Sequence, residues 1–309
     1  MSGRIVQVQG AVVDLVYRVA AIPPSGGEAK VTDFAMSPGG GFNALVAAKR
    51  LGANIAYGGG LGQGPFASLV ETALAAEGID TVDTPRLDDD QGTCVVLIEP
   101  SGERTFVAKE GAEGRRPPSD YSAITRSHFD WALLSGYSLY YEGLRAALVD
   151  WLARGDLPKI IFDPSPAVAW VHDDLRELAL RKAHWISANR AEAESLTGLV
   201  DPEDQAAALA KDRPKDGGAL VRLGAEGAVL AAGGEITPIS PHKVTPVDTN
   251  GAGDAHLGAF AARLAEGASP TEAARYANLA AALAITQEGP ATAPSRAAID
   301  AHLKTTEFT

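Results

Sequence analysis

The chain has 309 residues, 46% of them hydrophobic, enough for one large α/β domain or two modest ones with a full core. A net charge of -12 argues against an extended phosphate-backbone partner, because nucleic-acid binding shows as a basic patch or stripe, although amides and a metal can still hold a small anion locally. Cys94 is the only cysteine, which excludes an internal disulfide and a cysteine-rich metal site; the start carries no signal-peptide core and the chain no membrane-length apolar run, so a cytoplasmic protein is expected.

In chain order, residues 5–8 read as a first strand, with Asp14 shortly after it. Residues 14–35 lack long helical periodicity. The cluster Pro38-Gly39-Gly40-Gly41-Phe42-Asn43 then precedes an amphipathic helix over 43–51, and a second helix is expected over 66–77. Residues 91–109 read as a strand, a Pro100-Ser101-Gly102 turn and another strand, a separate β element in an otherwise alternating chain. From there, strands at 131–135, 159–162, 185–188 and 219–223 alternate with helical stretches such as 141–152, a pattern that means a parallel sheet covered by helices. A strand is expected at 243–247, followed by a helix that places Leu257, Phe260, Ala261 and Leu264 on one face until Gly267, and by another over 271–286.

The most informative stretch is Asp248-Thr249-Asn250-Gly251-Ala252-Gly253-Asp254, at the expected strand-to-helix turn. Gly251 and Gly253 permit backbone conformations closed to other residues, so successive N–H groups can converge where the helix dipole is positive. Asp254 at the mouth of that cradle is placed to take a proton from a hydroxyl attacking a phosphoryl group. Plainer readings stand beside this one: an ordinary Gly-rich turn here, a helix cap at Asn43, a capping box for Asn189 and Glu192, and a tight hairpin for Gly224 and Gly227. The run Gly60-Leu61-Gly62-Gln63-Gly64-Pro65 satisfies neither the dinucleotide nor the P-loop fingerprint.

The string Asp248 to Asp254 resembles the C-terminal signature of the ribokinase-like (phosphofructokinase B) family of sugar and nucleoside kinases. The glycine cluster ending in Asn43 before Leu51-Gly52 resembles its N-terminal signature. The resemblance runs in order over nearly the whole chain, and it implies one kinase domain over residues 1–309. Its fold would be a three-layer α/β/α sandwich with a mostly parallel central sheet and a small β-sheet lid formed by residues 14–36 and 91–109, often also a homodimer surface.

The resemblance implies Asp254 as catalytic base, with the Gly251, Ala252 and Gly253 amides as anion hole. It implies acceptor binding by Asp14, Gly39, Gly40, Gly41, Asn43 and Arg104. ATP contacts would come from Asn189, Leu223, Gly224, Gly227 and Asn278. Glu192 would hold Mg²⁺ through water, and Asp248, Asn250, Ala284 and Gly289 would border a K⁺ site. Some positions depart from the family pattern: Gly64 stands where Asp is usual, Ala67 where Gly is, and Gln9 replaces the glycine five residues before Asp14, with Gly10 displaced by one. Ser165 replaces Asn in the turn after Asp163, and one residue is inserted between Gly289 and Pro294.

The expected function is therefore ATP-dependent transfer of the γ-phosphate to a hydroxyl of a small carbohydrate. A nucleoside kinase of the same family and a catalytically silent sugar-binding regulatory protein are the alternatives. A nicotinamide-dependent oxidoreductase is disfavoured by the missing fingerprint.

Overall fold

The computed structural model describes residues 2–82, 88–116 and 121–306. The elements run β1 (Arg4–Gln7), β2 (Ala11–Val19), β3 (Val31–Gly40), α1 (Gly41–Arg50), β4 (Asn54–Tyr57), α2 (Pro65–Ala76), β5 (Asp80–Thr81), β6 (Thr93–Ile98) and β7 (Arg104–Lys109). They continue through β8 (Trp131–Ser135), α3 (Gly136–Tyr140), α4 (Glu142–Ala153), β9 (Lys159–Asp163), α5 (Asp173–Lys182), β10 (Ala183–Asn189), α6 (Arg190–Thr197) and α7 (Pro202–Ala210). The last are β11 (Gly218–Arg222), β12 (Ala228–Ala232), β13 (Glu235–Ile239), α8 (Ala252–Ala265), α9 (Pro270–Ala284) and α10 (Arg296–Thr306).

Nine strands form one sheet in the order β13-β12-β11-β10-β9-β8-β1-β4-β5, parallel from β11 to β5 and antiparallel at β12 and β13. Its central strands are apolar along their length, as strands covered on both faces must be: β8 is buried throughout, and Ile160, Ile161 and Phe162 of β9 are fully buried. One face packs against α1, α2, α8 and α9 through Leu45, Val70, Phe260 and Leu279. The other packs against α4, α5 and α7 through Trp151, Leu175 and Leu209, completing a three-layer α/β/α arrangement.

A second sheet of four strands, β3-β2-β6-β7, forms the lid, and its strands reach back to Ala11 and on to Gly40. β2 pairs antiparallel with β3 and parallel with β6, and β6 and β7 make the hairpin expected around Gly102. The strand expected at 243–247 does not form. Pro241 and Pro246 carry no N–H for a ladder, and the segment instead follows α9, with the N–H groups of Val247 and Asp248 both donating to Ile285 O.

Candidate active site

The parallel strands end on one rim of the large sheet, and four adjacent ones finish in polar residues that share a cleft: Ser135 of β8, Asp163 of β9, Asn189 of β10 and Arg222 of β11. Register sets Ser135 beside Asp163 and Asn189 beside Arg222. The carboxyl ends of strands are where open α/β sheets bind ligands. All four residues line a cleft of about 610 Å³ that also takes in Gln9, Arg104, Phe106, Tyr137, Glu192 and residues 249–254. A second cleft of about 690 Å³ lies on the far side of the α8 N-terminus, lined by Gly224, Ala225, Gly227, residues 241–244, His256, Asn278 and Ile285. Asn189, Arg222, Thr249, Ala252 and Gly253 belong to both, so the two spaces meet at that helix end.

Gly251 caps α8 at φ 73, a left-handed conformation that glycine adopts without strain. The Ala252 N–H makes a long 3.4 Å bond back to Thr249 O, while the N–H groups of Gly251 and Gly253 have no backbone acceptor among the described residues. These are orphan donors at a positive helix end. The Arg222 guanidinium lies beneath Gly253, about 3.8 Å from where a Cβ would stand, and adds its charge to the same spot.

Asp254 is the third residue of α8, half-buried, and accepts from Asn43 Nδ2 at 3.3 Å. Burial, reinforced by the nearby Asp163 carboxylate, pushes its pKa up to about 7, against the pull of Asn43 and Arg222. Such a group is a proton acceptor matched to neutral pH. Arg222 Nη1 donates to Asp163 Oδ2 at 2.9 Å, and Nη2 to Glu192 Oε2 at 3.3 Å. Glu192 also closes the capping box with Asn189 expected from its spacing, so the cap and the cleft position hold together. Burial and Asp163 raise its pKa as well.

Asp163, Glu192 and Asp254 thus face a single guanidinium, leaving an acidic excess of hard oxygens. No three metal-type side chains cluster into a cage among the described residues. That donor set suits a magnesium ion that keeps its waters and leans on one or two carboxylates and on phosphate.

Of the residues expected at the acceptor, Asn43 is buried and bonded to Asp254. Asp14 is buried on β2, and burial pushes its pKa up to about 6. Gly39 lies directly under Asp14: a Cβ there would stand 2.2 Å from Oδ2. Gly40 and Gly41 serve the chain turn, with Gly41 N–H donating to Gly10 O at 3.0 Å. Arg104 lines the cleft, and its Nη2 donates to Asp248 Oδ1.

On the other side, Gly224 and Gly227 line the cleft, and a Cβ on Gly227 would meet Ile239 O at 2.1 Å. Leu223 does not line it and packs against the core. Asn278 lines it, but its amide donates to Ile239 O and Ser240 O and accepts from His256 Nε2 at 3.0 Å. Asp248, Asn250 and Gly289 come together through N–H bonds to the Asp248 carboxylate. Ala284 is buried, and its carbonyl accepts from Thr292 Oγ1 at 2.9 Å.

Gln9, Ser135, Tyr137, Asp163, Arg222 and His256 were not singled out as site residues in the sequence; position at a strand end was the available signal for three of them. The departure at Gly64 has a local explanation. A side chain there would collide with the Asp90 carboxylate, which already accepts from the N–H groups of Phe66 and Ala67 at the start of α2.

A family model described as pfkB family carbohydrate kinase matches residues 4–297. An uncharacterized sugar kinase of Escherichia coli is 30% identical, over 94% of this chain and 90% of its own. A ribokinase of Bacillus subtilis is 30% identical over 90% of this chain and 91% of its own, and a fructokinase of Escherichia coli 30% over 95% and 96%. The crystal structure of a ribokinase from Thermotoga maritima superposes with a TM-score of 0.83 at 24% identity, covering 98% of this chain and 99% of that one.

Proposed function

This chain belongs to the pfkB family of carbohydrate kinases and is an ATP-dependent sugar kinase, and on that premise we propose how its residues divide the work. The larger, mostly apolar cleft beside the Gly224 turn takes the nucleotide, and the cleft under the lid takes the sugar. Asp254, at their junction, removes the proton from the acceptor hydroxyl as the γ-phosphoryl group transfers. The observation that carries this reading is its place: Asp254 lines the sugar cleft directly after Ala252 and Gly253, which line both clefts, and burial there pushes its pKa up to about 7.

The N–H groups at the start of α8, with Arg222 beneath them, hold the negative charge of the transferring group in place. Asn43 keeps the Asp254 carboxylate turned to the sugar. Asp163 and Glu192 would hold magnesium, which supplies charge neutralisation on the phosphates.

The sugar is read as uncharged. Both cations lining that cleft among the described residues are spent, Arg104 on Asp248 and Arg222 on Asp163 and Glu192, so a sugar acid or sugar phosphate would meet carboxylates without a free partner. Asp14 and Asn43, buried near Asp254 behind the residues that line the cleft, offer acceptor and donor capacity to hydroxyls instead.

The lid also supports a homodimer. Register sets Met36, Leu15, Val95 and Val107 in one cross-strand row and Phe34, Tyr17 and Leu97 in the next on the same face, with Phe34, Met36 and Val107 about half exposed. No helix among the described residues is long and apolar enough to cross a membrane, and a lone thiol suits the reducing cytoplasm.

The test measures ADP release across ketoses, aldoses, sugar acids and nucleosides. Turnover confined to neutral sugars and lost in Asp254→Asn is expected; equal turnover of a sugar acid refutes the charge argument, and an active Asp254→Asn refutes the base.

A further inference from the structure

The lid touches the phosphate end of the site through charge. Cross-strand register puts Arg18 of β2, Ile98 of β6 and Arg104 of β7 in one row of the small sheet. Both arginines of that row reach carboxylates on the two loops that flank α8 and α9. Arg104 pairs with Asp248, the first residue of the glycine turn, and Arg18 with Glu288, next to Gly289. The two pairs differ in setting. Arg18 and Glu288 are 38% and 67% exposed, where an ion pair contributes little, whereas Arg104 and Asp248 are 20% and 9% exposed.

Both oxygens of the Asp248 carboxylate accept hydrogen bonds. Oδ1 accepts from Arg104 Nη2 and from Asn250 N–H at 2.8 Å, and Oδ2 accepts from Gly289 N–H at 3.2 Å. The Ala284 carbonyl likewise accepts from Thr292 Oγ1. Asp248 Oδ2 and the Ala284 carbonyl each keep a further lone pair, so charge rather than hydrogen bonding decides: the carboxylate that would balance a monovalent cation already faces the Arg104 guanidinium, which would repel a second cation beside it. The residues around Asp248 therefore do not fit the potassium site that the family resemblance implies.

We propose that Arg104 is a built-in cation for this site: its guanidinium neutralises Asp248 and, through the N–H bonds to Asn250 and Gly289, orders the turn whose next residues form the anion cradle. Because Arg104 sits on the lid, closure over the sugar and ordering of the phosphate cradle become one event. The enzyme then runs without added potassium. Arg104 is a positioning residue, acting on phosphoryl transfer only through Asp248. This proposal rests on the kinase reading above.

The test compares the full-length wild type, Arg104→Lys and Arg104→Gln in potassium chloride and in tetramethylammonium chloride of equal ionic strength, reading melting temperature, kcat and the sugar KM. Wild type is expected to melt and turn over alike in both salts. Arg104→Gln is expected to lose up to about 10²-fold in kcat without potassium, the scale of a misplaced catalytic group, and to regain both kcat and melting temperature when potassium enters the vacated place. Arg104→Lys, which keeps a cation, should fall between them in tetramethylammonium. The proposal is overturned by a wild type whose melting temperature and kcat depend on potassium. It is equally overturned by an Arg104→Gln variant that keeps wild-type kcat without potassium, that potassium does not restore, or that changes only the sugar KM. A wild type that consumes no ATP with any sugar would refute the kinase reading itself, a result distinct from all of these.

Discussion

Asp254 should make the folded protein less stable at the pH where it works. Burial and the Asp163 carboxylate raise its pKa from 3.8 to about 7, which corresponds to an upper bound of about 4 kcal/mol for holding it ionised in the folded state. The group is only half-buried and solvent screens part of this, so about 1–2 kcal/mol is the working figure. The cost is absent below pH 3.8, where the carboxyl is protonated in both states, and grows as pH rises until it is complete above about 7. Asp254→Asn removes the charge and keeps an oxygen to accept from Asn43 Nδ2. The variant is therefore expected to melt roughly 2–5 °C above wild type at about pH 8, with the gap closing toward about pH 4.5. Its turnover should fall by ~10² or more. Thermal unfolding of the ligand-free proteins across pH, paired with ADP release, measures both. A variant that melts at or below wild type at high pH, or a gap that does not change with pH, would refute the electrostatic account of the site.

Turnover of the wild type should decline as pH falls through about 7 and Asp254 takes up its proton; a pH–rate profile flat to about pH 5 would contradict this. Arg222→Ala leaves Asp163 and Glu192 near each other without their counter-ion, and should cost about 3–5 kcal/mol in urea unfolding; a loss under about 1 kcal/mol would mean that their remaining hydrogen bonds, or protonation of one of them, suffice. Gly39→Ala drives a methyl into the Asp14 carboxylate, so the sugar KM should rise roughly tenfold or more while the ATP KM holds; steady-state kinetics with both substrates varied decides it.

What could be read in the sequence was mostly local. The cradle at 251–254, the Asn189–Glu192 capping box and the 91–109 hairpin each depend on spacings of a few residues, and each formed. The parallel sheet was legible because its strands are apolar on both faces. Asp163 and Arg222 were less visible: they are 59 residues apart, and only the sheet order sets their strands on the same rim. The strand expected at 243–247 failed because Pro246 within it and Pro241 just before it bring no N–H to a ladder. Asp90, which fills the space at Gly64, lies too far along the chain for a pattern to connect them.

The same rim explains why so much charge is gathered in one place. Asp163 raises the pKa of both Asp254 and Glu192, while Arg222 lowers both, so neither carboxylate can be tuned alone. A site meant only to bind a neutral sugar has no use for three carboxylates around one guanidinium, since each costs desolvation and gains nothing from hydroxyls. The arrangement becomes favourable when a divalent cation and a polyphosphate arrive together, the one relieving the acidic excess and the other meeting the α8 N–H groups and Arg222. The electrostatics of the cleft therefore argue for catalysis over silent sugar binding. They also require that nucleotide with magnesium stabilise the fold more than sugar does; a larger thermal shift from sugar alone would count against it.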